Sequence, residues 1–189
     1  GEEEVQKIID KTRSEIQELN KKLDIKILFG YEVNILADKT MSLPDKFLEQ
    51  LDYVIAGVHS ALQQPKDEMT ARIISAIENP HVHILAHPLN RLINKREACD
   101  INWVKVFKAV KSNNKILEID SQPDRLDLSE DLVKQAIQQG IKVIISSDSH
   151  DPSQFSLIRY GIDVARRGWC EAKDVVNTYS FEDLIKHFE

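Results

Sequence analysis

The sequence predicts an α/β fold on a mainly parallel sheet, and three observations carry that prediction: β-branched runs recur, amphipathic helical stretches alternate with them, and the runs end in chemically capable residues at nearly even intervals. The chain opens with Val5, Ile8, Ile9, Ile16, Leu19 and Leu23 at helical spacing among Glu, Lys and Gln. Five strand-like runs follow, at 26–36, 53–59, 82–87, 116–121 and 143–148. Between them the helical pattern 69–78 is halted by Asn79 and Pro80, and 103–110 supplies another helix. Ser129 caps a helix that Gly140 closes, Pro152 enters the first turn of one ending near Arg167 before Gly168, and Ser180 caps a last helix through His187. No linker, low-complexity tract or long like-charge run divides these elements, so one domain over 1–189 is expected. A closed eight-fold βα barrel takes about 250 residues, so five strands point either to an open doubly wound sheet or to part of a barrel.

With 189 residues, 42% of them hydrophobic and 30% charged, the chain can bury one sizeable core. Its net charge of −6 excludes a surface that grips nucleic acid by bulk electrostatics, because neutralising phosphates takes clustered Lys and Arg. Any such contact is local. Cys99 and Cys170 stand 71 positions apart, which fits neither a disulfide framework nor a thiolate zinc site; two free thiols in a reducing, cytoplasmic setting are expected. No apolar run reaches the roughly 18 residues of a membrane span, and the acidic start GEEEVQK is unlike a signal peptide.

Chemistry is expected where the strands end. Glu32, His59, His87, Glu118 and Asp148 stand at or just past the ends of successive runs, 27, 28, 31 and 30 residues apart. One βα unit takes about 30 residues, so the spacing places all five on the carboxyl rim, where parallel α/β folds build their sites. Imidazole and carboxylate without thiolate suit Mn, Fe or Zn, and a carboxylate can bridge two ions. The segment VIISSDSH adds His150 to Asp148, a D-x-H spacing that sends two ligands from one strand end; in the competing reading Asp148 and Ser149 cap the helix entered at Pro152. Arg91, Arg96 and Arg125, in loops on the same rim, are candidates to hold a phosphate, against the alternative of solvated or salt-bridged side chains beside Glu97 and Asp127. His81 and His83 lie at the amino end of their strand and read as structural or surface groups, Arg166 and Arg167 complement a helix dipole, and His187 reads as solvated.

Several stretches resemble the polymerase and histidinol phosphatase (PHP) family, especially the version at the carboxyl end of bacterial and archaeal family X DNA polymerases. They are GYEVNIL, LDYVIAGVHS, MTARIISAIENPHVHILAHPLNRL, LEIDSQPDRLDL, ISSDSH and YGIDVARRGW followed by VVNT, in order from about Ile27 to Thr178. The resemblance implies a distorted seven-stranded, TIM-like βα barrel with up to three divalent ions (Mn, Zn or Fe) at its carboxyl rim, present here as an incomplete barrel of about five parallel strands. It implies metal ligation by Glu32, His59, His87, Asp148 and His150, with Glu32 bridging ions and Glu32, Asp148 and His150 serving catalysis. Family members also carry an H-x-H strand end and two further histidines that have no counterpart here, so the chain reads as lacking the first two βα units. Asp120 stands where family X relatives usually have Asn, and Ala86 where Gly is common.

The activity implied is hydrolysis of phosphate esters at DNA ends, as a manganese-dependent 3′ to 5′ exonuclease supporting repair synthesis. A stand-alone phosphatase acting on a small ester of the histidinol phosphate kind is the second reading, and a degenerate scaffold module the third. By itself the chain is expected to be catalytically weak, because half a ligand set holds ions loosely, and to self-associate through open strand edges.

Overall fold

The computed structural model describes residues 1–188. In chain order the elements are α1 (Glu2–Asn20), β1 (Gly30–Asn34), α2 (Asp45–Leu48), β2 (Tyr53–Gly57), α3 (Lys66–Glu78), β3 (Ile84–Leu85), α4 (Trp103–Ser112), β4 (Ile116–Asp120), α5 (Glu130–Gln138), β5 (Lys142–Ser146), α6 (Ile158–Arg167) and α7 (Phe181–Phe188). All five strands are parallel and lie in the order β1-β2-β3-β4-β5, so every carboxyl end falls on one rim. The sheet is open, an arc of the expected barrel with β1 and β5 at its edges.

Register sorts the side chains into two faces, because partners in a parallel pair lie side by side and strand positions alternate. Glu32, Ile55, Ile84 and Ile116 form one row, and Glu118 sits beside Ile144 on the same face, called the inner face below. The outer face presents Val33, Val54, Ala56, Leu85, Leu117, Ile119 and Val143 to Met69, Ile73, Val106, Phe107, Val133 and Val164 of the helices, and this is the main core. Each fully buried Ile, Leu or Phe contributes about 1.5–3 kcal/mol. The inner face packs Ile84, Ile116 and Val176 with Tyr53, Ile55, Ile144, Leu184 and Phe188.

The last helix, α7, closes the amino end of that inner face. Phe188 stacks on Tyr53 with ring centroids 5.5 Å apart, and its carbonyl lies 2.8 Å from His83 Nε2. His83 Nδ1 accepts from the Val54 amide at 2.9 Å, so this histidine is the structural group expected. His187 is not solvated as expected. Packing of α7 encloses its Nε2 without a partner among the described residues, and burial pushes its pKa down.

The strands are shorter than their sequence runs. β1 begins late because side chains take the backbone groups before it: Asn20 bonds both Ile27 N and Ile27 O, and Asp52 accepts from Phe29 N. β3 keeps two residues of the six expected; beyond it the amide of His87 goes to Glu118 Oε2 at 2.7 Å, and those of Leu89 and Asn90 go to Asp127 at 3.0 and 2.7 Å. β5 stops at Ser146, and Asp148 leaves extended geometry at φ +43°. Its outer edge is blunted by Asn177, whose amide bonds both Ile145 N and Ile145 O.

Asp127 therefore anchors the loop that follows β3. Replacing it with Ala leaves two buried amides without acceptors, which costs about 2–4 kcal/mol. Urea unfolding is expected to show that loss in Asp127→Ala, and an unchanged midpoint would contradict the role.

Candidate metal centre

Glu32 faces inward from β1, and His59 stands two residues beyond the end of β2, on the same parity as Gly57. Alternation along β3 would turn His87 to the outer face. Its φ of +22° turns it back, a strained conformation of the kind that costs of order 1–3 kcal/mol and is found where surroundings fix it. Glu118 holds its amide, and its ring is almost wholly buried. The result is a convergence on one oxygen: Glu32 Oε1 lies 3.1 Å from His59 Nε2 and 3.0 Å from His87 Nε2.

The potential ligand atoms of these three residues all lie within 4.8 Å of one another. Two imidazole nitrogens and a carboxylate oxygen at that spacing fit one divalent ion of the Mn, Fe or Zn type. Gly57 makes the room. A Cβ there would meet Glu32 Oε1 and His59 Cε1 at 2.9 Å and His87 Cε1 at 3.1 Å.

The cluster sorts charges. Burial works against the Glu32 carboxylate, but hydrogen bonds and positive charge from His59 and His87 outweigh it and hold its pKa well below the usual range. Burial likewise opposes charge on His87, and the Glu32 hydrogen bond with the Glu118 and Glu32 charges reverses that, raising it to about 9. Behind them, burial pushes Glu118 up, its Oε1 accepting from Ser146 Oγ at 2.5 Å. Burial also raises Asp120 to about 7 despite the Gln122 amide bonded to it, with the Asp148 charge adding to the rise.

Asp148 and His150 stand on the same rim, apart from this three-residue cluster among the described residues. His150 is 79% exposed, its Nδ1 lying 2.9 Å from the Asp148 carbonyl. The helix-cap alternative falls to a neighbour: Asp151 caps the 3₁₀ turn entered at Pro152, accepting from Ser153 N at 2.9 Å. Gln122 Nε2 fixes the turn instead, donating to the carbonyls of Ser147 and Asp148 at 2.8 and 2.9 Å.

The arginines divide by what their guanidinium groups already hold. Arg91 is committed to backbone, donating to Arg125 O and Leu126 O at 2.8 and 2.5 Å. Arg96 gives its Nε to Asn90 O at 2.9 Å and lines a cleft of about 790 Å³ beside His59. Arg125 Nε lies 3.5 Å from Asp120 Oδ2, and its Nη1 is buried with no partner among the described residues. Sequence reasoning missed Arg72, Asn90 and Asp127. Asn90 Nδ2 reaches Val58 O at 2.5 Å, joining the ends of β2 and β3, and Arg72 bonds Ile35 O and Ser60 O. A polar residue inside a helix or loop carries no sign in sequence that its partner is a carbonyl.

Fold and cluster together define a parallel α/β domain with a Glu and two His side chains on its carboxyl rim that could hold a metal ion. Over 171 residues, 90% of its length, the chain is 36% identical to the DNA polymerase/3′-5′ exonuclease PolX of Bacillus subtilis, covering 30% of that protein. It is 31% identical over 164 residues to a probable phosphatase of Thermoanaerobacter sp., covering 82% of the chain and 64% of the relative. A probable phosphatase of Clostridium novyi is 33% identical over 135 residues, 67% of the chain and 53% of that protein. No family model matches. These likenesses agree with the PHP resemblance read from the motifs and with its polymerase-linked branch, and the chain spans less than two thirds of either of the first two relatives.

Two outcomes follow from this geometry. Gly57→Ala is expected to displace the cluster and weaken Mn²⁺ binding by roughly 10–100-fold in calorimetry with unchanged circular dichroism; unaltered affinity would show that the ligand atoms do not share an ion. A carboxyl raised above its unfolded value stabilises the protonated fold. The Asp120 contribution is therefore complete below about pH 4 and is lost as pH rises through about 7, and Asp127 behaves alike through about 6. Loss of the His87 contribution, toward about pH 9, has the same sign, while that of Glu32 is already complete above its unfolded value of 4.5. Without added metal the chain is expected to melt lower at pH 8 than at pH 5, with Asp120→Asn narrowing the gap; a melting temperature that climbs over this range would contradict it.

Proposed function

We propose that this domain hydrolyses phosphate esters with divalent ions at its carboxyl rim, and that its substrates are DNA 3′ ends, trimmed in a manganese-dependent 3′ to 5′ exonuclease step linked to a family X polymerase in repair. The observation that carries the reading is the convergence of His59 and His87 on Glu32 Oε1, in a chain similar to a polymerase and exonuclease. Glu32, His59 and His87 would hold one ion, and Asp148 with His150 would hold another, Mn ahead of Zn or Fe, up to three ions serving the complete domain. Such ions supply charge neutralisation for the phosphate and an activated water.

The chain's own residues supply the rest. Arg125, backed by Asp120 at 3.5 Å, would meet a phosphate oxygen only once its buried Nη1 swings outward, and Arg96 faces the adjoining cleft. In place of holding an ion, the exposed His150 imidazole would move a proton to or from the leaving oxygen. Arg91 is better read as a brace for the loop after β4. Among the described residues no helix is long and apolar enough to cross a membrane, and a cytoplasmic setting suits the two free thiols.

A second reading, a phosphatase for small esters, is favoured by the likeness to probable phosphatases and by the net charge of −6, which suits a small substrate better than a duplex. Mn²⁺ is expected to raise the melting temperature of the chain by several degrees and Glu32→Gln to remove that rise. Hydrolysis by the chain at high enzyme concentration is expected to be slow and to favour a 3′-recessed duplex over a small phosphomonoester. The reverse preference would establish the second reading, and no response to Mn²⁺, Zn²⁺ or Fe²⁺ would leave a scaffold. The free edge of β1 at 30–33, where Tyr31 is exposed, is also expected to promote self-association, which a strictly monomeric sedimentation profile over a wide concentration range would overturn.

A further inference from the structure

Arg72 is 0% exposed and has no carboxylate within salt-bridge distance among the described residues. A buried cation without a counter-charge is expensive, so its surroundings must satisfy it by other means. All three guanidinium nitrogens are used. Nε donates to Ile35 O at 3.0 Å and Nη2 donates to the same carbonyl, while Nη1 donates to Ser60 O and Gln64 Oε1, each at 3.0 Å.

These acceptors are placed tellingly. Ile35 lies three residues after Glu32, and Ser60 directly follows His59. α3 begins after the loop that leaves the carboxyl end of β2, and a helical side chain leans toward its own helix N-terminus. The stem of Arg72 therefore carries its planar fork up behind the rim. One rigid group spans the two chain segments that present the Glu32 carboxylate and the His59 imidazole, and through Gln64 it also holds a wall of the cleft beside them.

We propose that Arg72 is the positioning residue of the metal centre, setting the separation between Glu32 and His59 from behind the sheet's carboxyl rim. This rests on the metal-site reading above. Lys cannot replace it, because a single ammonium cannot bond both carbonyls in fixed directions.

The test compares Mn²⁺ affinity by calorimetry, with the spin-resonance spectrum of bound Mn²⁺, in the unmutated chain, Arg72→Met, Arg72→Lys and Ile77→Ala. Ile77 is buried at the far end of the same helix, so its truncation reports general loss of stability. Arg72→Met is expected to weaken Mn²⁺ binding at least about tenfold and broaden the spectrum, Arg72→Lys to recover only part of the affinity, and Ile77→Ala to stay within about twofold. If Arg72→Met does not fold, as judged by circular dichroism, a loss in Arg72→Lys of about threefold or more beyond that in Ile77→Ala carries the test. Equal affinity in the Arg72 variants and the unmutated chain overturns the inference alone, as does equal weakening by Ile77→Ala. Failure of the unmutated chain to bind Mn²⁺ overturns the metal reading and this inference with it.

Discussion

Backbone groups at the ends of short parallel strands need partners out of water, and in this fold side chains from the adjacent loops and helices provide them. Arg72 joins the segments after β1 and β2, Asn90 joins β2 to β3, Glu118 and Asp127 join β3 to β4, Gln122 joins β4 to the turn after β5, and Asn177 ties off β5. Each bond replaces a rung that a longer strand would have supplied. His59 and His87 stand in the gaps thus created, while Glu32 projects from the middle of β1 and not from its end as the spacing suggested, so the polar groups that end the sheet bring the two imidazoles to the Glu32 carboxylate.

That solution explains the unusual charge arrangement of the rim. Carboxylates are the natural acceptors for backbone amides, yet several within a few ångströms of one another cannot all be ionised cheaply out of water. The structure separates them by role. Glu32, facing the two imidazoles, is held anionic; Glu118 and Asp127, facing amides and a hydroxyl, and Asp120, between the Gln122 amide and Arg125, are pushed toward the neutral form by burial.

The sequence carried the architecture because strand runs and helix punctuation are local signals. Ile116–Asp120 lies inside its expected run, Lys142–Ser146 begins one residue before its own, and Gly140 takes the positive φ that a helix end favours. The near-even spacing of Glu32, His59 and His87 marked the rim for a related reason: it counts βα units. Strand ends were harder, since β3 is limited by what Glu118 and Asp127 accept, and those residues lie dozens of positions away. Arg72 sits between Ala71 and Ile73 in a helical pattern that suggests a solvated face, and nothing local reveals carbonyls at Ile35 and Ser60. Likewise, His187 looked free because the surface that covers it is assembled by the fold of α7 against the sheet.

The brevity of β3 has a bearing on motion. In a regular sheet, slow amide exchange traces the ladder and fades where the ladder stops. Here the amides of His87, Leu89 and Asn90 lie past the last rung yet are locked onto buried carboxylates, so protection extends into an irregular segment. That loop opens only when Glu118 or Asp127 lets go. The stretch that carries a candidate ligand thus has its amides bonded as a strand's are while keeping a shape that no strand allows.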